Sequence, residues 1–333
     1  MKIAIDAMGG DHAPNEVIKG AIDALCEWKD IHIILVGPIE RVKPLVPDYL
    51  LDKVTIQPAD GVIGMDEEPV QAIRRKKDSS MVVAVNLVKK GEADAVISAG
   101  NTGAYMASGL LHVGRIEGIE RPALAPVFPT MDNRGTLVLD VGANMDAKPS
   151  HLQQYAVMGT IYAREVLGIK NPRVGLLNVG TEEKKGNSLV KEAFGLISNT
   201  SNLHFIGNVE ARDIPYGICD ILVCDGFTGN VVLKLTEGVS SAIFATLKEE
   251  FMKTPWSKLA ALILRPGLRR FKQQMDYKEH GGAPLLGLKG VVIKAHGSSD
   301  GRAFKNAIRQ ARQFVIHDVV GQITKHVKGV SES

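Results

Sequence analysis

The sequence predicts a layered α/β protein with a mostly parallel sheet. Three observations support this prediction. Short, almost continuously apolar segments recur along the 333 residues, as is typical of parallel strands covered on both faces. Helical patterns alternate with these segments, and glycines collect where several of them end. The clearest predicted strands are residues 2–6, 32–37, 93–98, 136–142, 173–180, 220–226 and 291–297.

The first predicted helix, residues 14–28, follows the first strand and begins with Pro14, a residue that a first helical turn tolerates. In layered α/β folds, ligands bind beyond the carboxyl ends of the strands. The segments that follow the strands, beginning with "DAMGGD" (6–11) and including "DVGAN" (140–144), are therefore where we expect a functional site.

Composition limits the classes of function. Lys plus Arg total 40 and Asp plus Glu total 37, so the formal net charge is +3. This balance argues against general nucleic-acid binding, and no nucleic acid is expected as a partner. With 45% hydrophobic residues, the chain can bury a large core, as a single domain over 1–333 or as two lobes around one crevice. We expect Cys26, Cys219 and Cys224 to be buried, reduced thiols.

Two features that the sequence lacks indicate where in the cell the protein is located. The amino-terminal residues "MKIAIDAMGGD" do not resemble a secretion signal, and no apolar run approaches the ~18 residues of a membrane-spanning helix. The sequence predicts a cytoplasmic protein that associates at most with the inner surface of the membrane.

Several well-known motifs are missing. No two glycines are separated by a single residue, so a G-x-G dinucleotide fingerprint cannot occur. G-K-[ST], H-E-x-x-H, paired C-x-x-C and G-x-S-x-G motifs are also lacking. We therefore expect no nucleotide cofactor and no metal site.

The segment "SAGNTGA" (98–104) lies between a predicted buried strand and a predicted helix. It offers hydroxyl groups, a side-chain amide and successive backbone N–H groups at a helix start, a combination that suits phosphate. Glycines would let the anion touch the backbone, although tight strand–helix packing would also explain them. The candidate phosphate-binding residues are Ser98, Gly100, Asn101, Thr102 and Gly103.

A second turn repeats this pattern 126 residues later, because Asp94, Gly100, Thr102 and Gly103 align with Asp220, Gly226, Thr228 and Gly229. Common strand–helix turns would explain the echo, and so would two equivalent loops facing one crevice. In the second turn, Asn230 and Lys234 lie four residues apart and would share a helix face. Other candidate site residues at strand ends are Asp225, Lys184 in "NVGTEEKKG" (178–186), and His296 and Ser298 in "HGSS".

Two segments are basic. Residues 74–77, "RRKK", could be a solvated helix face or could receive an acidic protein partner. Residues 254–278 form a basic amphipathic segment that could lie in a bilayer interface, cap the core or form a dimer interface. We expect Pro266 to interrupt a single straight helix here. The candidate membrane or acyl-chain contacts are Trp256, Leu259, Ile263, Leu268 and Phe271, and Arg269 and Arg270 lie among them.

Taken together, the motifs resemble one family over essentially the whole chain. "DAMGGD", "MDEEP", "SAGNTGA", "DVGAN", "NVGTEEKKG", "DGFTGN" and "GGAPLLGLKG…HGSS" follow one another in this order. They resemble the bacterial acyl-acyl carrier protein:phosphate acyltransferases of the PlsX family. Each motif alone is weak, but seven in order make the resemblance specific.

The resemblance implies a three-layer α/β/α sandwich, related to phosphotransacetylases and to isocitrate and isopropylmalate dehydrogenases, in a homodimer. It implies transfer of a fatty acyl group from acyl carrier protein to inorganic phosphate, which supplies acyl phosphate to phospholipid synthesis. Phosphate would be held by the "SAGNTGA" residues and Ser298, and Lys184, Asp225, Asn230, Lys234 and His296 become the candidate catalytic residues. Arg74, Arg75, Arg269 and Arg270 become candidate contacts for the carrier protein.

Three alternatives stay open. One is an oxidoreductase like the related dehydrogenases, although no segment of the sequence resembles a nicotinamide site or a cluster of metal-binding carboxylates. A phosphotransacetylase-like enzyme would take the acyl group from coenzyme A, which carries the same phosphopantetheine arm as the carrier protein. A non-catalytic scaffold could bind an anion or an anionic membrane surface. If the chain is the enzyme, the basic segment could also pass acyl phosphate to a membrane acyl-phosphate:glycerol-3-phosphate acyltransferase.

Overall fold

The computed structural model describes residues 1–274 and 281–331. All seven predicted strands are present, together with five shorter or more polar ones. The strands are β1 (Lys2–Asp6), β2 (His32–Gly37), β3 (Val54–Pro58), β4 (Ala95–Ser98), β5 (Ala123–Leu124), β6 (Val127–Phe128), β7 (Thr136–Leu139), β8 (Arg173–Asn178), β9 (His204–Glu210), β10 (Ile221–Val223), β11 (Ala283–Leu286) and β12 (Val291–Lys294).

Helices connect most of the parallel strands. The helices are α1 (Asn15–Glu27), α2 (Ile39–Val42), α3 (Pro69–Arg75), α4 (Ser80–Lys89), α5 (Thr102–Ser108), α6 (Pro149–Glu165), α7 (Ser188–Ser198), α8 (Gly226–Met252), α9 (Pro255–Gln274), α10 (Gly301–Ile316) and α11 (Val319–Ser331). A π-helical turn, Gly109–Val113, extends α5. Short 3-10 segments cover Lys43–Leu45, Asp48–Leu50 and Ala211–Tyr216.

The strands form two sheets, each mostly parallel. The larger sheet has the order β3-β2-β1-β4-β12-β11-β5, and the smaller has the order β6-β7-β10-β8-β9. In the larger sheet β11 runs opposite to the other strands, and in the smaller sheet β6 does. The predicted α/β class is confirmed.

The chain passes from one sheet to the other through residues 123–128. β5 pairs with β11 at the edge of the larger sheet, and β6 pairs with β7 in the smaller one. Between them, the Ala125 N–H donates to the Pro284 carbonyl and the Pro126 carbonyl accepts from the Val138 N–H. These bonds join the two sheets side by side, so their strand ends face a common space.

A shared apolar core lies behind the two sheets. One cluster of buried side chains includes Ile3 and Ile5 from β1 together with Leu137 and Leu139 from β7. Helix α6 crosses this core, and the Tyr162 hydroxyl of α6 accepts a hydrogen bond of 2.7 Å from Gln310 of α10. The two sheets are therefore held together by packing as well as by the backbone.

The internal echo predicted from the sequence corresponds to equivalent structural positions. Asp94 precedes β4 and accepts a hydrogen bond from the Lys2 N–H at the start of β1. Asp220 precedes β10 and accepts one from the Arg173 N–H at the start of β8. Each carboxylate thus fixes the register of a parallel pair, which places the two G-x-T-G turns at matching strand ends.

Two expectations are wrong. Cys26 is exposed on α1, whereas Cys219 and Cys224 are buried as expected. The cause is its position on the outer face of an amphipathic helix, whose inner face carries the apolar residues. Helix α9 runs through Pro266 without interruption. The backbone carbonyl that Pro266 leaves without a donor lies on an exposed helix, where water can satisfy it.

We expect Asp220→Asn to reduce the free energy of unfolding by about 2 kcal/mol, because Asp220 also forms an ion pair of 2.9 Å with Arg173. The Asp220 side chain is only 6% exposed. Burial acts to raise its pKa, but hydrogen bonds from Arg173 outweigh this effect and lower it. The loss should therefore shrink as the pH falls through this lowered folded-state pKa.

The matched control is Asp94→Asn, the equivalent position, whose exposed carboxylate accepts the Lys2 N–H. Urea denaturation at pH 7 should show a smaller loss for Asp94→Asn. Equal losses in the two variants would contradict the role given to the Arg173 pair.

Candidate functional site

A crevice of about 550 Å³ opens at the carboxyl ends of the strands, where the two sheets meet. Thr102 and Gly103 at the start of α5 line one side of it. Asn230 and Lys234 of α8 line the other side, and Lys294 and His296 lie at the end of β12. The remaining wall includes several apolar side chains. These are Met65, Met106, Leu124, Val127, Val141, Met145 and Leu233.

The predicted residues Lys234, His296 and Ser298 form a connected polar group around Glu237. The Lys234 ammonium lies 2.8 Å from one oxygen of Glu237, and His296 Nε2 lies 3.7 Å from the other. His296 Nδ1 accepts from the Ser298 N–H at 3.2 Å and lies 2.9 Å from the Ser298 hydroxyl oxygen. Because Nδ1 accepts a backbone proton, the ring carries its own proton on Nε2, facing Glu237.

Lys294 is a site residue that sequence reasoning missed. Its side chain lines the crevice, is 7% exposed, and donates a hydrogen bond to the Ala295 carbonyl. Burial lowers the pKa of Lys294 to about 7, although Asp6 and Asp11 oppose the shift. The available signal was a lysine at the last position of an apolar strand, two residues before the histidine of "HGSS".

Glu237 was also missed. Three residues beyond Lys234 on α8, it lies on the same helix face and so reaches the crevice. One of its oxygens is buried without a hydrogen bond and faces His296 at ion-pair distance. A carboxylate between a lysine and a histidine holds both side chains in place.

The predicted phosphate loop divides into two parts. Thr102 and Gly103 line the crevice, whereas Ser98 and Asn101 are bonded to the protein itself. The buried Ser98 hydroxyl donates to Asp6 at 2.6 Å and accepts the Gly100 N–H at 3.1 Å. The amide of Asn101 caps α5 and lies 3.1 Å from each of three carbonyl oxygens in residues 64–67. Ser98 and Asn101 therefore shape the loop on which Thr102 and Gly103 stand.

Close packing explains two of the glycines. A Cβ on Gly103 would lie 2.6 Å from Cγ of Pro69, at the start of α3. A Cβ on Gly229, the equivalent position in the second turn, would collide with the carbonyl oxygen of Asp140. The packing explanation that the sequence left open thus applies to both turns.

Asp140 organises the second side of the crevice. Its buried carboxylate accepts backbone N–H groups from Leu124, Ala143 and Asn144 at 2.9, 3.0 and 2.7 Å. Burial raises the pKa of Asp140, and these hydrogen bonds act against the shift. Asp6 has the corresponding place at the end of β1, and burial raises its pKa while Ser80 and Ser98 oppose the shift. A buried carboxyl group therefore stands behind each half of the crevice.

Some predicted site residues do not line the crevice. Lys184 is exposed on the turn before α7, and Gly100 lines a separate cavity of about 170 Å³ beside Asp6. Asp225 caps α8 by accepting from the N–H and the hydroxyl of Thr228 at 2.8 and 2.7 Å. The roles suggested for these residues remain predictions.

The basic amphipathic segment forms the second arm of a helical hairpin made by α8 and α9. The rings of Phe244 and Phe271 lie 5.5 Å apart between the arms. Trp256 is 81% exposed and Ile263 71% exposed, and Leu259 is also exposed. Leu268 and Arg269 line a cavity of about 510 Å³ between the arms, and Arg270 is exposed. Residues 275–278 of the segment lie outside the described part of the chain.

Arg74 and Arg75 are exposed at the carboxyl end of α3 and are not part of this hairpin. Within residues 1–274 and 281–331, no helix combines the length and apolar character that a membrane-spanning segment needs.

Relatives of the chain are numerous and cover its full length. Residues 1–322 match the family described as "Fatty acid synthesis protein". A phosphate acyltransferase from Geobacillus thermodenitrificans is 55% identical over 99% of this chain and 100% of its own length. One from Brevibacillus brevis is 56% identical over 100% of both chains.

Solved structures of more distant proteins share the fold. A phosphotransacetylase from Streptococcus pyogenes has a TM-score of 0.65 at 18% identity, with 95% of this chain and 94% of that one covered. A branched-chain phosphotransacylase from Enterococcus faecalis has a TM-score of 0.57 at 17% identity, with 95% and 99% covered. The predicted likeness to phosphotransacetylases is thus confirmed at the level of the fold.

The low pKa of Lys294 should make stability depend on pH. The unfolded chain holds this proton up to about pH 10.5, whereas the folded chain releases it near 7, so unfolding takes up a proton in between. Between pH 7 and 9, wild type should gain up to about 2.7 kcal/mol relative to Lys294→Met. Urea denaturation at both pH values measures this, with Lys289→Met, an exposed lysine, as the control. A parallel pH dependence of wild type and Lys294→Met would refute the shift.

The match with the family spans nearly the whole chain, and both relatives described above are named phosphate acyltransferase. Their identity of 55–56% over essentially full length extends across both halves of the crevice. The chain therefore belongs to the family of fatty acid synthesis proteins that includes these phosphate acyltransferases, and it is an acyltransferase.

Proposed function

We propose that this enzyme transfers a fatty acyl group from the thioester of acyl carrier protein to inorganic phosphate. The products are acyl phosphate and the free thiol of the carrier protein. Acyl phosphate then supplies the acyl chain for phospholipid synthesis. The names of the relatives support acyl transfer to phosphate, and the carrier protein as donor is our finer proposal.

One observation carries the proposal: the crevice combines two lysines with an apolar wall. Lys234 and Lys294 supply N–H donors, beside the carboxylates of Asp11 and Glu237, while Met106, Val141 and Leu233 offer a surface for an acyl chain. Phosphate needs cations and hydrogen-bond donors, and a fatty thioester needs apolar contact. A single crevice offers both.

The chemistry needs positioning more than a protein nucleophile. A phosphate oxygen attacks the thioester carbonyl carbon, the new C–O bond forms, and the carbonyl oxygen takes the electron pair. Collapse of this oxyanion breaks the C–S bond and expels the thiolate, which a proton then neutralises. A thiol has a pKa near 8.5, so the thiolate leaves readily, and an ammonium group with a pKa near 7 can supply the proton.

We assign roles by position in the crevice. Thr102, Gly103 and Lys234 hold phosphate, because all three line the crevice and can offer hydroxyl, N–H and ammonium donors to an anion. Lys294 stabilises the oxyanion and protonates the thiolate, and Asn230 and His296 orient the thioester. Ser298 holds the ring of His296 through Nδ1.

We expect Lys234→Met to raise the KM for phosphate by about 10- to 100-fold, because a charge-assisted contact with the anion is lost. The assay follows phosphate-dependent release of free thiol from acyl carrier protein, with acyl phosphate trapped by hydroxylamine. Lys191→Met, an exposed lysine of α7, serves as the control. An unchanged KM for phosphate in Lys234→Met would remove Lys234 from the site.

The same assay separates the alternatives. Turnover with acyl coenzyme A but not with acyl carrier protein would favour the phosphotransacetylase-like reaction. Lack of turnover with both thioesters would mean that this acyltransferase uses a different acyl donor.

We further propose that the α8–α9 hairpin attaches the enzyme to an anionic membrane surface and contributes to a homodimer. Apolar side chains recur at every fourth position along α8 and are 49–64% exposed, namely Val231, Leu235, Val239 and Ile243. Such a stripe suits a second copy of the chain. The exposed Trp256 and Ile263 of α9 lie among basic residues, a pattern typical of interfacial helices. Attachment would bring acyl phosphate close to a membrane acyltransferase that uses glycerol 3-phosphate.

Ile263→Glu should lower the fraction of protein that floats with anionic liposomes at least threefold, because a charge replaces an inserted apolar side chain. Met131→Glu is the control, since Met131 is 63% exposed but lies outside the hairpin. Sedimentation of each variant reports whether a dimer persists. Equal flotation of Ile263→Glu and wild type would reject membrane attachment through this hairpin.

A further inference from the structure

A second cavity, of about 500 Å³, opens beside the crevice and is basic. Arg115, Arg121 and Lys148 line it, together with Leu110, Glu120 and His151. The three cationic side chains are exposed.

The charges of this basic cavity have a defined arrangement. His151 is 4% exposed, and its Nε2 lies 3.1 Å from the carboxylate of Glu120 while Nδ1 accepts the Lys148 N–H at 3.0 Å. Burial lowers the pKa of His151 despite the nearby Glu120, so the ring is neutral at pH 7. Glu120 therefore offsets one cation, and a net charge of about +2 remains. This charge matches a phosphate group.

Two segments of the chain run from the crevice to the basic cavity. Along α5 and its π-helical extension, Met106 lines the crevice and Leu110 the basic cavity. After β7, Met145 lines the crevice and Lys148 the basic cavity. From Thr102 to Leu110 the helical rise amounts to about 12 Å. A linear ligand could thus lie with one end in each cavity.

We propose that the basic cavity binds the phosphodiester of a 4′-phosphopantetheine thioester whose acyl end reaches the crevice, and that acyl carrier protein presents this arm. The proposal rests on the function proposed above. It assigns Arg121 and Lys148 to the phosphodiester, and Arg115, which donates to the Glu120 carbonyl, to the edge of the cavity.

The carrier protein fits better than coenzyme A as the source of the arm. Its arm ends in a single phosphodiester, whose one negative charge the net charge of about +2 more than neutralises. Coenzyme A adds a pyrophosphate, a further phosphate and an adenine, which would need more cations and an additional pocket. The exposed Arg121 and Lys148 can also meet a protein surface at the mouth of the cavity.

The test compares acyl-phosphopantetheine with acyl-pantetheine, which lacks only the phosphate. Wild type should turn over the phosphorylated thioester with a kcat/KM at least tenfold higher. Arg121→Glu and Lys148→Glu should each remove most of this preference and lower kcat/KM for acyl carrier protein at least tenfold. Arg121→Gln should lie between wild type and Arg121→Glu. Lys43→Glu, an exposed charge reversal lining another cavity, is the control.

Several results would overturn the proposal. One is an undiminished preference for the phosphorylated thioester in both Arg121→Glu and Lys148→Glu. Another is a loss with acyl carrier protein only when Arg74 and Arg75, or Arg269 and Arg270, are reversed. A loss with acyl coenzyme A but not with acyl carrier protein would reject the carrier protein as the source.

A binding measurement separates this proposal from the proposed reaction. The fluorescence anisotropy of labelled carrier protein bearing its phosphopantetheine arm should report weaker binding to Arg121→Glu than to wild type. If no thioester supports turnover, the proposed function fails, yet this difference in binding still decides the role of the basic cavity. Equal binding of the two proteins would refute it.

Discussion

The crevice depends on one constraint, the burial of a carboxyl group behind each of its halves. The Asp140 carboxylate accepts hydrogen bonds from the backbone N–H groups of Leu124 and of the turn after β7. Asp140 thereby holds the segment that connects the two sheets against the loop that lines the site. Its carbonyl oxygen lies so close to α8 that only glycine fits at position 229. The start of α8, and with it Asn230 and Lys234, is thereby set against the end of β7. Asp6 acts similarly on the first half, through Ser98 and Gly100.

This arrangement separates the residues that shape the site from those that face a ligand. Ser98, Asn101 and Asp225 complete turns and cap helices, and their polar atoms are bonded within the protein. Thr102, Lys234 and Lys294 face the open space. Because the shaping residues are satisfied internally, the loops hold their form before any substrate arrives, which reduces the cost of ordering them on binding.

The sequence predicted the strands whose side chains are buried on both faces, because their apolar residues are consecutive. It missed β5 and β6, two residues each, and the more polar β9, since their pairing depends on neighbours far along the chain. Within the candidate site, turns that follow strands were predictable from glycines and hydroxyls, whereas Lys294 was not. The low pKa of Lys294 arises from burial at the junction of the two sheets. This burial depends on distant segments of the chain, so the local sequence pattern does not predict it. Glu237 was not predicted for a related reason, because only the packing of α8 brings it close to His296.

Helix α8 gives the molecule a further property. Its 27 residues extend for about 40 Å, with Asn230, Lys234 and Glu237 near one end and the tip of the hairpin at the other. A single rigid rod thus belongs to both regions. A membrane or protein that binds the tip and tilts the helix would also displace Lys234. The size of this displacement depends on the length of the helix between the tip and Lys234. Binding at the tip can therefore change the position of Lys234 in the crevice. A longer or shorter hairpin would alter this displacement without replacing any residue of the crevice.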